Sequence, residues 1–394
     1  MMRRLTMAGA ILLLVAATAH AQSDAPAEVS ATSQTETAAP DSTFLRVALS
    51  PSRMIASSDF RSGTDAASGV SIEIGRQTNG GRAWHGVYNY PSYGVGFAAS
   101  HFDREPELGR PLAVYGFFSW PFPVAPRLEA SADVGMGVAW SWKPFNAATN
   151  PTNTAIGGSL AYQVSGAALL HYLATAHASV YGGLNVTHWS NGGTRQPNLG
   201  LAVIGPQFGV RYDFAPRVAR PRERDSDRTP FSPAWEIVAG AGGSSKNVVA
   251  AGSDAISDRR RSFGVVNVTA ALQRHFYRFG KLAAGTDATY DGAAGARVDI
   301  ADGRLVESRA PGDRRLALGV YGGYEHVMAR FSVLLHVGYT VSRGVDDPEV
   351  PRLYERYGAR YQLTDHLWTM FAVRAVKGRK ANFMELGAGY RARF

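Results

Sequence analysis

The final eleven residues constrain this chain more than any other feature. Met384, Leu386, Ala388, Tyr390, Ala392 and Phe394 fall on one face of a strand, and Glu385, Gly387, Gly389, Arg391 and Arg393 fall on the other. Strict alternation ending on an aromatic residue is how outer-membrane β-barrels close, with the apolar face toward lipid and the polar face toward a lumen. A bilayer offers no hydrogen-bond partner to a free sheet edge, so such a strand must belong to a closed barrel. The expected fold class is therefore all-β, a transmembrane antiparallel β-barrel.

The other end of the chain agrees. Arg3 and Arg4 precede an apolar run from Ala8 to Ala17, and Ala19, His20 and Ala21 form a small-x-small cleavage site. That pattern reads as a signal peptide over residues 1–21, too short to span a membrane as a helix. Residues 22–42 are rich in Ala, Ser, Thr, Pro and acidic side chains and read as a disordered periplasmic lead-in. No later segment is a long uninterrupted apolar run of the kind a spanning helix needs. The chain has no cysteine, which excludes a lipid-anchored N-terminus, disulfides, thiol catalysis and zinc–thiolate sites. The formal charge of +9 comes from dispersed arginines without a basic helix carrying interleaved aromatics, so no nucleic-acid partner is expected.

From Phe44 onward, period-2 segments alternate with turns. The clearest, Arg330 to Thr340, places Phe331, Val333, Leu335, Val337 and Tyr339 on one face. About sixteen such segments can be marked, with twelve or fourteen as alternatives, because single-chain bacterial barrels have even strand numbers. The segments at 85–103 and 155–172 are the weakest, and Ala161 to Tyr172 also fits a helix. Counting back from Phe394 puts short turns near Thr364, Val327 and Tyr277 on the periplasmic side with both termini, and the longer connections near 243–261, 292–314 and 342–352 outside. A Pro- and Arg-rich linker, residues 215–230, divides the barrel region 43–394 into halves 43–214 and 231–394. It reads as a long turn within one barrel, with two separate units as the alternative.

The same parity makes Val180 to Ser190 a strand rising to an external loop. Its lipid face, Val180, Gly182, Leu184 and Val186, continues to His188 and Ser190. Residues i and i+2 lie about 7 Å apart along a strand, so imidazole and hydroxyl can approach each other. A serine becomes a nucleophile at neutral pH when a neutral histidine takes its proton. Asn191, Gly192 and Gly193 follow, offering an amide and flexible N–H groups to an oxyanion. Chemistry at the outer leaflet suits acyl transfer from a membrane lipid.

His188, Trp189, Ser190, Asn191, Gly192 and Gly193, followed by Gln196, Pro197, Asn198 and Gly200, resemble the signature of the outer-membrane lipid A 3-O-deacylases, the PagL-type acyloxyacyl hydrolases. The resemblance is strong over these residues, is looser over Phe44 to Phe214, and points to a long member of the family. It implies His188 as general base, Ser190 as nucleophile, and Asn191, Gly192 and Gly193 around the oxyanion, with no cofactor and no metal. The implied partners are lipid A, as lipopolysaccharide in the outer leaflet, and the outer-membrane lipids around it. One position departs from the pattern: where the family carries its catalytic glutamate this chain has Ala202. Asn198 or a backbone carbonyl would then have to orient the imidazole.

Trp120, Trp142, Trp189 and Trp368 read as interfacial anchors. His101, His171, His275 and His336 read as lumen or rim residues. Asp254, Asp258 and the Arg259–Arg261 run read as a solvated external loop, and Tyr90 to Gly94 as a strand bend. No G-x-S-x-G, Walker or H-E-x-x-H motif is present. Two other functions stay open at this level: a channel or uptake porin, and an inactive barrel that binds lipopolysaccharide.

Overall fold

The computed structural model describes residues 40–55, 65–217, 231–251, 259–346, 350–377 and 380–394. The signal peptide, the lead-in before residue 40, most of the linker, and Asp254 and Asp258 lie outside the described residues. Among those described, no helix is long and apolar enough to cross a membrane.

Eight strands form the first barrel: β1 (Ser42–Ile55), β2 (Ala66–Gln77), β3 (Ser92–Phe102), β4 (Gly109–Ala125), β5 (Leu128–Trp142), β6 (Ala161–Leu173), β7 (Ala178–Ser190) and β8 (Leu201–Asp213). The second contains β9 (Ala234–Val249), β10 (Arg260–Tyr277), β11 (Gly280–Asp291), β14 (Leu316–Met328), β15 (Phe331–Arg343), β16 (Leu353–Gln362), β17 (Leu367–Val376) and β18 (Lys380–Arg393). A hairpin of β12 (Arg297–Ala301) and β13 (Arg304–Ser308) stands in the long connection between β11 and β14. Two short helices, α1 (Ala83–Val87) and α2 (Glu105–Leu108), occupy connections of the first barrel.

The expectation of one continuous barrel is corrected. Strand β8 returns to β1, with Phe44 opposite Asp213 and Ile55 opposite Ala202. Strand β18 returns to β9, with Leu386 opposite Gly243 and Arg393 opposite Glu236. Each half therefore satisfies its own edges, and the linker joins two closed cylinders.

Side-chain packing explains why each ring closes at eight. An eight-stranded interior is just filled by side chains, whereas sixteen strands leave a watery channel. Here the inward charges meet opposite charges across each narrow lumen. Arg46 pairs with Glu73 and, at 2.7 Å, with Asp133. In the second barrel Arg356 lies 2.9 Å from Asp287 and 3.1 Å from Glu385, and Arg360 lies 2.8 Å from Glu325.

The outward faces are apolar: Leu49, Val70, Ile72, Val180, Leu184, Phe208, Val210, Val268, Leu318, Val337 and Leu386 are all exposed. That reverses a soluble barrel and identifies a lipid-facing surface. Phe118 and Trp120, with ring centroids 4.5 Å apart, lie on that outward face near the terminus end, where Tyr88 packs against both. The other three tryptophans are not anchors. Trp142 and Trp189 pack with Phe102, Leu108, Ile156 and Leu201 in an apolar plug inside the first barrel, and Trp368 lies inside the second. His171 and His336 are buried lumen residues, as expected. Tyr90 precedes β3 in a turn with φ of 57° rather than bending a strand, and β10 begins at Arg260, within the arginine run.

The barrels touch at both ends. At the end bearing the termini, Tyr88 donates to the Val327 carbonyl at 2.7 Å, and its ring meets Phe279 with centroids 5.0 Å apart. The opposite, far end is where β7 finishes.

Candidate active site

Strand register decides which way the sequence-predicted residues face. Val180, Leu184, Phe208 and Val210 are exposed, and β7 and β8 pair Val180 with Val210, Gly182 with Phe208, Val186 with Ile204 and His188 with Ala202. His188 and Ser190 continue that outward row at its far end, while Trp189 between them turns inward and donates from Nε1 to Gln163 Oε1 at 2.9 Å. On the other side, Ser190 stands opposite Tyr162 and His188 opposite Val164 of β6.

The connection 191–200 is held by its own polar groups. The Asn191 N–H donates to Asn198 Oδ1 at 3.0 Å, and Asn191 Nδ2 donates to the Arg195 carbonyl at 2.6 Å. Asn191 Oδ1 accepts from the Gly193 N–H at 3.0 Å, and its carbonyl accepts from the Thr194 hydroxyl at 2.8 Å. Asn191 is thus a buried staple whose amide is already engaged within the loop. Asn198 does not orient the imidazole as expected; its Nδ2 donates instead to Ser190 Oγ at 2.9 Å. The Gly192 N–H donates to the same oxygen at 3.1 Å. Gly192 has φ of 65°, a left-handed conformation that aims this N–H and that a side chain would oppose.

Two donors on one hydroxyl oxygen have a direct chemical consequence. Ser190 Oγ is used as an acceptor, so its proton is available to a base, and negative charge near this oxygen meets an amide and a backbone N–H. The His188 imidazole and the Ser190 hydroxyl are not hydrogen-bonded to each other, and no hydrogen bond joins the imidazole to another described residue. Hydrogen bonds between nucleophile and base are often long before substrate binds. The imidazole is instead set by packing. A Cβ on Gly200, whose φ is 74°, would stand 2.7 Å from His188 Cε1 and 3.2 Å from Nε2. Only a glycine lets the loop lie this close. Opposite His188, Ala202 offers a methyl group where a carboxylate would orient the ring.

Sequence reasoning assigned no role to Gly200 or Tyr162. Gly200 lay within the quoted motif, so a positive-φ glycine beside the histidine was a readable clue. Tyr162 carried no local signal, because its position beside Ser190 depends on the pairing of β6 with β7. Among the described residues, no group of three or more histidine and carboxylate side chains is placed to hold a metal ion.

Residues 234–394 match the family model described as acyloxyacyl hydrolase, C-terminal domain. The match falls on the second barrel, whereas the resemblance seen in the sequence centres on the first. Neisserial surface protein A is a similar solved structure, 11% identical over 44% of this chain and 97% of its own, with a TM-score of 0.32. The outer membrane enzyme PagL is 17% identical over 42% of this chain and 97% of its own, with a TM-score of 0.28. The siderophore receptor PirA from Acinetobacter baumannii is 10% identical over 90% of this chain and 73% of its own, with a TM-score of 0.26. The search for relatives among curated proteins returned no match.

Proposed function

We propose that this chain, a member of the PagL-type acyloxyacyl hydrolase family, is an outer-membrane esterase that removes an ester-linked acyl chain from lipid A. The observation that carries the proposal is the convergence of Asn198 Nδ2 and the Gly192 N–H on Ser190 Oγ, on the same outward row as His188. By resemblance the ester is the one at position 3. The matched domain supports the reading too, since its description is that of an acyloxyacyl hydrolase.

In this mechanism Ser190 Oγ attacks the ester carbonyl while His188 takes the hydroxyl proton. As Oγ attacks, the Gly192 N–H and the Asn198 amide leave its lone pairs and turn to the tetrahedral oxyanion beside it. Collapse expels the sugar oxygen, and the imidazolium returns the proton to it. Water, deprotonated by His188, then attacks the acyl-serine, frees the fatty acid and restores Ser190. A dyad suffices for slow ester hydrolysis, and Ala202 in place of an orienting acid implies a modest rate. The far end faces outward in this reading, with both termini in the periplasm. Short connections at the terminus end, 126–127, 278–279 and 329–330, support that orientation.

A pore is disfavoured by the filled lumens. The apolar plug around Trp142 and Trp189 occupies one, and Trp368, Met370 and the paired charges occupy the other. The deciding experiment is mass spectrometry of lipid A from cells expressing the wild type or Ser190→Ala. Wild type should yield lipid A lighter by one acyl chain, and Ser190→Ala should not. Identical acylation in both, with folded protein in the membrane, would leave the barrel as a lipopolysaccharide binder at most.

A further inference from the structure

We propose that the second barrel supplies one wall of the acyl-chain site, with Phe371 lining it and Met384 seating the 191–200 loop against it; this rests on the esterase reading above. Strand β18 carries an anomaly. Met384, Leu386 and Tyr390 share its outward face, since Phe383 and Glu385 point into the lumen. Leu386 is 62% exposed and Met384 only 5%. Something outside the second barrel covers Met384, and it is the loop that carries Gly192 and Gly193. A Cβ on Gly192 would run into the Met384 side chain, and one on Gly193 would stand 3.5 Å from the Ala381 carbonyl.

The contact continues around the site. Tyr162, directly opposite Ser190 on the outer face, stacks on Phe371 of β17 with centroids 4.9 Å apart and planes at 29°. From the second barrel, Asn247 Nδ2 donates to the Thr194 carbonyl and Arg260 Nη1 donates to the Gln196 carbonyl at 3.1 Å. The loop 191–200 is therefore held on its inner side by its own staple and on its outer side by the second barrel.

An ester bound at Ser190 must send its acyl chain along the outer wall of the first barrel, because the apolar cluster around Trp189 closes the way inward and the cavity beneath it is lined by Arg46, Glu73, Asp133 and Gln163. On the Tyr162 side that path is bounded by Phe371 rather than by bulk lipid, and Met384, covered by the loop, fixes where Gly192 stands beside it. A single closed barrel would leave this side open to the membrane. An apolar wall of fixed shape selects among chains by length, at about tenfold or more per poorly fitted segment.

The experiment compares wild type, Met384→Ala, Phe371→Ala and the control Leu386→Ala on lipid A species differing in acyl length, in mixed vesicles. Two quantities are read: the fatty acids released, and the binding of the same lipids by each variant carrying Ser190→Ala. The ratio of long to short chains should change about tenfold in Met384→Ala and Phe371→Ala and stay constant in Leu386→Ala. Release by wild type with the same ratio in every folded variant would overturn the wall and leave the esterase standing. No release by wild type, with binding ratios that still shift, would overturn the esterase and keep the wall as a lipid-selecting surface. Unchanged binding without release would overturn both.

Discussion

Ser190 and His188 illustrate how far a single side chain can be read. Period-2 alternation assigns both to the lipid face, and the register of β7 against β8 bears that out. The same rule, applied to Trp189, would have turned it inward; reading it as an interfacial anchor followed residue type where parity was the better guide. The roles of the two asparagines were not legible, because which amide meets Ser190 depends on how the loop folds back. Three predictions belong at this scale. Asn198→Ala removes a donor from Ser190 Oγ and should lower kcat about a hundredfold or more, measured as fatty-acid release from purified protein. Gly200→Ala puts a methyl group against the His188 ring and into a left-handed backbone; displacing the base by about 1 Å should cost on the order of a hundredfold in kcat with the barrel still folded. Ala202→Glu places a carboxylate directly opposite His188 and should raise kcat about tenfold or more, since the acid of a triad fixes the tautomer and stabilises imidazolium. A rate in Ala202→Glu at or below wild type would show that this site does not lack an orienting acid.

At the level of elements, each of the sixteen barrel strands has a counterpart among the segments marked in the sequence. Alternation is a strong signal wherever one face meets lipid. It failed where the chain leaves the wall. Residues 85–91 contain the end of the short helix α1 and a turn with positive φ at Asn89 and Tyr90, and the β12–β13 hairpin sits in a connection read as a loop. The number of rings was only half legible, because alternation says which face meets lipid and not which strand closes on which. The charges held a clue. Arg46, Glu73 and Asp133 in one half, and Arg356, Asp287 and Glu385 in the other, face inward in complementary sets, as a narrow lumen requires and a wide wet one does not. Arg356→Met should therefore leave Asp287 and Glu385 buried without their shared counter-charge. We expect a loss of about 3–5 kcal/mol in the second barrel, read by urea unfolding in lipid vesicles. A change within about 0.5 kcal/mol would mean that water reaches these carboxylates.

For the whole molecule, the question is how two cylinders behave differently from one ring of the same strands. A single ring would pair β1 with β18 and enclose water; two closed rings pair β1 with β8 and enclose side chains. The chain has no native cysteine, so an engineered pair reports pairing without background. Leu49 and Phe208 face each other across β1 and β8 on the exposed outer surface. Leu49→Cys with Phe208→Cys should cross-link within one chain under a short bifunctional maleimide. Leu49→Cys with Tyr390→Cys, on β18, should not. The same protein in a planar bilayer should show no steady conductance, because a path through either ring meets the Trp142–Trp189 plug or the Arg356–Asp287–Glu385 charges. Cross-linking from β1 to β18 together with stepwise currents would favour a single pore, and would remove the filled interiors that direct a lipid's acyl chain to the outer wall beside Ser190.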